Sequence, residues 1–258
     1  MLRFRNLGSG SSGNATIVEG RSGASITRLL VDCGLGIRQM EQRLALAGLA
    51  FGDVDAIFIT HEHSDHIGCA RQLALRHRIP VWMSRGTHAG ARDGDFDDLL
   101  RYASDGVAMA LGELSVMPFT VPHDAREPLQ LRCTDGATSL GILTDLGHAT
   151  EHVLGHLSGC HALLLESNHD PALLAASSYP PFLKKRVGGA HGHLSNAASA
   201  AIAAALRHPG LSCVVAAHLS RENNRPDLAR AALAEVLGCA GDEVGVADPV
   251  SGTDWITA

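Results

Sequence analysis

The stretch Ile57-Phe58-Ile59-Thr60-His61-Glu62-His63-Ser64-Asp65-His66-Ile67-Gly68 places four metal-ligating side chains, His61, His63, Asp65 and His66, within six positions directly after an apolar run. Side chains alternate along an extended backbone, so His61 and His63 point the same way. Asp65 and His66 follow the change of direction that ends the strand, and they face a second point a few ångströms off. The pattern offers two ligands to each of two adjacent cations. Neutral imidazole nitrogen and carboxylate oxygen are the donors of hydrolytic zinc sites. A group of surface histidines at a helix start is the competing interpretation. It accounts for one histidine well and for His-x-His-x-Asp-His after a buried strand poorly.

Positioning such a loop takes a strand before it and packed elements around it. Apolar runs bounded by Gly, Ser and Asp predict strands near 2–7, 15–18, 27–31 and 56–59. Ile37, Met40, Leu44 and Ala47 recur at helical spacing, and a second helix is expected from about His66 to His77. Further strands are expected near 81–83, 114–119, 129–133, 139–143, 162–166 and 213–216. Helices are expected over 150–156, 181–187, 196–206 (capped by Ser195) and 227–237. Strand meanders with helices late in each half suggest two central sheets with helices outside, within one domain spanning 1–258. The chemically suspect residues all fall at strand ends.

Composition narrows the field. Of 258 residues, 45% are hydrophobic and 19% charged, which excludes a mostly disordered chain. Lys and Arg number 21 against 27 Asp and Glu, a net charge of −6, whereas a protein that coats nucleic acid indiscriminately is basic overall. Lys184-Lys185-Arg186 is the densest cationic run and reads as a solvated helix face, with a local basic patch as the alternative. The six cysteines, at 33, 69, 133, 160, 213 and 239, form no Cys-x-x-Cys, so neither a thiolate zinc module nor a disulfide scaffold is suggested. A reducing cytoplasm is the economical expectation. Met1-Leu2-Arg3-Phe4-Arg5-Asn6 lacks the apolar run of a secretion signal, and no stretch reaches the roughly 18 apolar residues of a membrane helix. No membrane partner is expected, and the oligomeric state stays open.

The histidine motif resembles the signature of the metallo-β-lactamase superfamily. That resemblance implies an α+β fold, an αβ/βα four-layer sandwich with a binuclear site at one edge. Asp32, ending Leu29-Leu30-Val31, resembles the family's early strand-end acid, which supports the metal loop through hydrogen bonds without binding metal. His123 in Val121-Pro122-His123-Asp124 resembles the ligand that joins His61 and His63. Asp145 in Leu143-Thr144-Asp145-Leu146-Gly147 resembles the carboxylate bridging two metals, and His218 in Ala216-Ala217-His218-Leu219 resembles the ligand completing the set of Asp65 and His66. Taken singly, His123 is equally a turn residue and Asp145 equally a helix cap. His148, His152, His156 and His169 match no motif position and read as solvated or capping residues.

Three stretches narrow the resemblance to the YycJ-like (WalJ) branch: Glu166-Ser167-Asn168-His169-Asp170, Gly192-His193-Leu194-Ser195-Asn196 and His218-Leu219-Ser220-Arg221-Glu222-Asn223-Asn224. Arg221 stands where the branch has Lys, which keeps the charge and changes the hydrogen-bond geometry. The branch comprises cytoplasmic metallo-hydrolases linked to 5′-to-3′ DNA exonuclease activity, so a phosphodiester substrate, DNA, is implied. By similarity to the superfamily's phosphodiesterases, such as tRNA 3′-processing enzymes, His193 is implied to be a catalytic histidine beside the scissile phosphate, as a contact or a proton donor. A helix-start residue bonded to backbone is its alternative. Asn196, Arg221 and Asn223 are the implied substrate contacts. The Gly/Ser loop Leu7-Gly8-Ser9-Gly10-Ser11-Ser12-Gly13-Asn14 reads as a tight hairpin, or as backbone N–H groups offered to phosphate without the Lys and following helix of a P-loop.

The implied reaction is hydrolysis by a metal-activated hydroxide, oriented by Asp65. Two divalent ions lower the pKa of a bridging water from about 15.7 towards about 7. Zinc follows from the imidazole-rich donor set, with manganese or iron as alternatives. The same hydroxide would serve a small cyclic or nucleotide phosphodiester, a thioester or a lactam. A metal-binding domain with a dead site is the non-enzyme reading, and the full ligand set stands against it.

Overall fold

The computed structural model describes residues 1–91 and 94–258. The first strands in chain order are β1 (Leu2–Gly8), β2 (Ala15–Ser22), β3 (Ser25–Val31), β4 (Ala56–Phe58), β5 (Val81–Met83) and β6 (Leu100–Tyr102). They are followed by β7 (Met109–Leu111), β8 (Leu114–Thr120), β9 (Leu129–Thr134), β10 (Ser139–Leu143), β11 (Ala162–Glu166), β12 (Cys213–Ala217) and β13 (Gly245–Val246), and β14 (Ile256–Thr257) returns to pair with β1. Two seven-stranded sheets result, in the orders β14-β1-β2-β3-β4-β5-β6 and β13-β12-β11-β10-β9-β8-β7. In each, an antiparallel meander leads into parallel strands: β3 to β6 in the first, β10 to β13 in the second. The strands β4, β10 and β11 are buried along their whole length, which is why their interiors read as apolar runs rather than alternations.

The sheets pack face to face. Phe4, Val18, Leu29 and Phe58 of the first meet Val116, Leu131, Ile142 and Leu164 of the second in one buried cluster. Helices cover both outer faces. On the first sheet lie α1 (Ile37–Leu46), α2 (Ser64–Ile67) and α3 (Ala70–His77), which bury Met40, Leu44, Ile67, Leu73 and Ala74 against it, and α4 (Arg85–Gly90) follows β5. The later helices are α5 (Glu151–Leu157), α6 (Pro171–Ala176), α7 (Pro181–Val187), α8 (Asn196–Leu206) and α9 (Pro226–Leu237). Val153, Ile202, Leu206 and Leu233 of α5, α8 and α9 form the outer core of the second sheet. Alanine makes α8 a strong helix and its small side chains let α9 lie close, while Ser195 Oγ caps it by accepting from Ala198 N. The architecture is the α+β sandwich that the resemblance implied. No helix of the described residues is long and apolar enough to cross a membrane.

One helical expectation is corrected. The helix expected from His66 to His77 is two helices, broken at Gly68 and Cys69. Cys33 N donates to the His66 carbonyl and Cys69 N to the Cys33 carbonyl, so the chain turns there to dock against the end of β3. Gly68 has φ 30° and lies so close to Cys33 that no side chain fits. The break aims α2 and its ligands at the sheet edge. The short elements β6, β7, α4, α6, β13 and β14 carry no periodic signal in the sequence.

A buried acid ties the first meander. Glu19 is fully buried and accepts from Arg3 and Arg28 at 2.8 Å each and from Arg21 at 3.3 Å. Burial opposes its ionisation, but Arg3 and Arg28 outweigh that and lower its pKa below the usual 4.5. The depressed value makes its stabilisation complete above pH 4.5, to be lost as pH falls through the lowered folded value. Glu19→Gln is therefore expected to cost roughly 2 kcal/mol at neutral pH. Urea unfolding of both proteins should show the gap shrinking on acidification below that range.

Candidate metal centre

The strand ends β3, β4, β10 and β12 open at one edge of the sandwich; Asp32 and His218 directly follow β3 and β12, and His61 and Asp145 follow β4 and β10 by a short step. Three of these, Asp32 (φ 63°), Asp145 (φ 59°) and His218 (φ 56°), sit in the left-handed region that non-glycine residues avoid. That conformation costs on the order of 1 kcal/mol or more for each residue, and such strain concentrates where a side chain must be aimed.

Four imidazoles are held by Nδ1, which leaves Nε2 as the lone-pair atom. His61 Nδ1 donates to Thr60 Oγ1 (3.0 Å), and His66 Nδ1 donates to Asp32 Oδ2 (2.8 Å). His123 Nδ1 donates to the Gly192 carbonyl (3.1 Å), and His218 Nδ1 donates to Glu166 Oε1 (3.1 Å). Asp32 also accepts from Thr60 N at 2.9 Å and Oγ1 at 3.0 Å, so it braces the loop start and one ligand together. An outer partner of this kind fixes tautomer and ring orientation in metal sites.

The free atoms converge in two sets. His61 Nε2 and His123 Nε2 stand 3.0 and 3.4 Å from His63 Nδ1. Donors about 2.0–2.1 Å from one tetrahedral ion stand roughly 3.3 Å apart. In the second set, Asp65 Oδ2 is 3.8 Å from both His66 Nε2 and His218 Nε2. Asp145 lies between the sets, with Oδ2 3.0 Å from His66 Nε2, and groups with His61 and His66 as well as with His218. Asp145 Oδ2 and His218 Nε2 are both buried without a hydrogen-bond partner among the described residues. Buried polar atoms left unpaired are costly, and these two point to cations as the missing partners. The donor set fits divalent ions.

Electrostatics agree with that fit. Burial opposes the charge on Asp145, yet His218 and His66 hold it well below the usual carboxylate range. Burial likewise opposes ionisation of Glu166, and His193 and His218 bring it down to about 2. Asp65 is lowered too, by His218 and His66 against burial. Conversely, burial opposes protonation of His218, but Asp145, Asp65 and Glu166 lift it to about 10. His61, buried and facing His66, is pushed well below 6.5. The edge thus concentrates buried anionic oxygens that call for positive charge.

A cleft of about 380 Å³ opens over the centre, its walls including His63, Asp65, Asp145, His193 and His218. A larger cavity, about 590 Å³, is lined by Arg207, His208 and Leu237 and contains no candidate ligand. His193 is the half-buried residue above the cluster, its Nδ1 donating to Glu166 Oε1 at 2.7 Å. Burial opposes its protonation, but Glu166 and Asp145 raise its pKa above 6.5.

All seven residues named as ligands are brought together here. The named substrate contacts are not. Asn196 is buried and exchanges amide hydrogen bonds with Asn224 (2.9 and 2.8 Å), and Asn223 is buried beside Ser220, so neither lines the cleft. Arg221 is exposed and lines the cavity next door. His169, expected to be solvated or capping, is buried. Arg186 of the solvated cationic run reaches the cleft wall and pairs with Asp124 at 2.6 Å.

Two residues quoted in the sequence stretches, Glu166 and Asn14, have roles that only the structure shows. Glu166 joins His193 to His218, and its Oε2 accepts from Leu146 N and Leu194 N. Its signal was available: an acid ending an apolar strand, as Asp32 does. Asn14, in the Gly/Ser loop, donates to the Asp65 carbonyl at 3.2 Å and lies 3.0 Å from His66 Nε2.

Metallo-hydrolases are the class of enzyme that this layering and this donor set define, and the chain is one of them. It belongs to the beta-lactamase superfamily, whose domain model matches residues 27–218. It is 34% identical over 256 residues to Exodeoxyribonuclease YycJ of Bacillus anthracis, covering 98% of this chain and 96% of that one. It is 32% identical over 262 residues to Exodeoxyribonuclease WalJ of Streptococcus pneumoniae, covering 100% and 96%. Among solved structures it resembles the metallo-beta-lactamase fold protein YhfI of Bacillus subtilis, with a TM-score of 0.76, 17% identity and full coverage of both chains.

Proposed function

We propose that the chain is a metal-dependent phosphodiesterase with a binuclear centre, acting on DNA as a 5′-to-3′ exonuclease. The observation that carries the reading is the pair of donor sets meeting at Asp145, with unpartnered Asp145 Oδ2 and His218 Nε2 between them. The exodeoxyribonuclease names of the full-length relatives support the substrate. In this reading His61, His63 and His123 would hold one ion and Asp65, His66 and His218 the other, with Asp145 in reach of both sets. Zinc suits five imidazoles and two carboxylates. Bound divalent ions supply positive charge that acidifies a water and neutralises phosphoryl oxygens.

The chain's own groups do the rest. Asp65, partly open to the cleft, accepts a hydrogen bond from the attacking water and so orients it. Asp32 and Glu166 hold His66 and His218 against rotation. His193, fixed through Nδ1 by Glu166, presents Nε2 to the leaving alkoxide and gives it a proton. The six unpaired cysteines suit a cytoplasmic setting.

The test is hydrolysis by the metal-reconstituted protein of 5′-phosphorylated DNA, RNA, bis-p-nitrophenyl phosphate, cyclic nucleotides and a glutathione thioester. The expected result is cleavage of DNA from the 5′ end together with the aryl phosphodiester. Cleavage of the thioester alone would overturn the reading.

A further inference from the structure

A second cavity of about 240 Å³ adjoins the cleft, the two sharing Ser11 and Tyr179 in their walls. Two loops build it: the Gly/Ser loop between β1 and β2, and the segment after His218. They are locked together. His218 N donates to Ser9 Oγ at 2.7 Å, and Arg221 Nη2 donates to Ser12 Oγ at 3.3 Å. Gly10, at φ 101°, lets the first loop pass close to the Leu219 carbonyl. The loop that carries a metal-ligand candidate therefore also forms the chamber wall, and whatever fills the chamber lies next to the cleft over the candidate centre.

The lining chemistry is that of a phosphate and sugar. Arg221 is an exposed guanidinium, and Ser11, Ser12 and Ser220 present hydroxyls. The backbone N–H groups of Ser11 and Ser12 have no protein acceptor among the described residues. Glu222 opposes a second negative charge, which suits the single charge of an internal phosphodiester over the double charge of a terminal phosphate. Tyr179 is half-buried and lines both the cleft and the chamber.

We infer that this chamber receives the nucleotide next to the scissile bond, with Arg221 and the serines on its phosphate and Tyr179 stacked on a base. The inference rests on the phosphodiesterase reading and deepens it: the site takes a strand in preference to a lone cyclic or mononucleotide ester. The experiment compares kcat/KM for thymidine 5′-(p-nitrophenyl phosphate) with that for thymidine di- and trinucleotides, using the metal-reconstituted full chain. Wild type should gain about tenfold or more from an added nucleotide. That gain should collapse to under about threefold in Arg221→Ala and in Tyr179→Leu, and should survive in part in Arg221→Lys and Tyr179→Phe. An unchanged gain in Arg221→Ala and Tyr179→Leu, or no gain in wild type, overturns the chamber assignment while leaving phosphodiester hydrolysis intact. Failure of wild type to hydrolyse any of these esters overturns the phosphodiesterase reading and this inference with it.

Discussion

Asp145→Ala abolishes turnover, with an expected loss on the order of 10⁴-fold, and strips divalent metal from the protein. Asp145 is nearly wholly buried at a left-handed strand end, where Oδ1 lies 3.3 Å from His218 Nδ1 and Oδ2 lies 3.0 Å from His66 Nε2. No other carboxylate groups with both His61 and His218 in the candidate sets. Asp145→Asn keeps the shape and removes the charge, so it separates loss of charge from loss of packing. Metal analysis by plasma mass spectrometry, beside kcat on the aryl phosphodiester, checks both variants. Wild-type metal content and rate in either would remove Asp145 from the centre.

His193→Ala lowers kcat on DNA by about 10²–10³-fold while metal content stays near wild type. The reason is positional: His193 is tied to Glu166 and sits over the cleft, outside both ligand sets as proposed. A proton donor matters in proportion to the basicity of the leaving group. The same variant should therefore lose under about tenfold on the p-nitrophenyl ester, whose leaving phenolate needs little help. Glu166→Gln should reproduce the leaving-group dependence, because it loosens the same imidazole. It should also lower metal retention, since Glu166 holds His218 as well. Equal losses on both substrates in His193→Ala would assign His193 to substrate binding alone.

How much of the site is legible in the sequence depends on how local its cause is. His61, His63, Asp65 and His66 declare themselves because strand alternation and a helix start act within six residues. His123, Asp145 and His218 were recognisable only through resemblance to a family. In isolation a turn or a cap explains them, and what assembles them is sheet register across more than a hundred residues. The amide ladder that buries Asn196 against Asn224 is likewise a tertiary event, so a polar residue after Gly192-His193 looked available to substrate when it is not. The role of Glu166 is hidden for the same reason. It ends an apolar strand as other site acids do, but its two histidine partners come from segments 27 and 52 residues away. The break at Gly68 was illegible because the helical pattern runs on through it, and only the close approach of Cys33 ends it.

Anomalous diffraction from crystals of the zinc-loaded protein tests the binuclear account most directly. Two peaks are expected, one among His61, His63 and His123 and the other among Asp65, His66 and His218, both within reach of Asp145. A single peak, or ions bound away from these side chains, would contradict it.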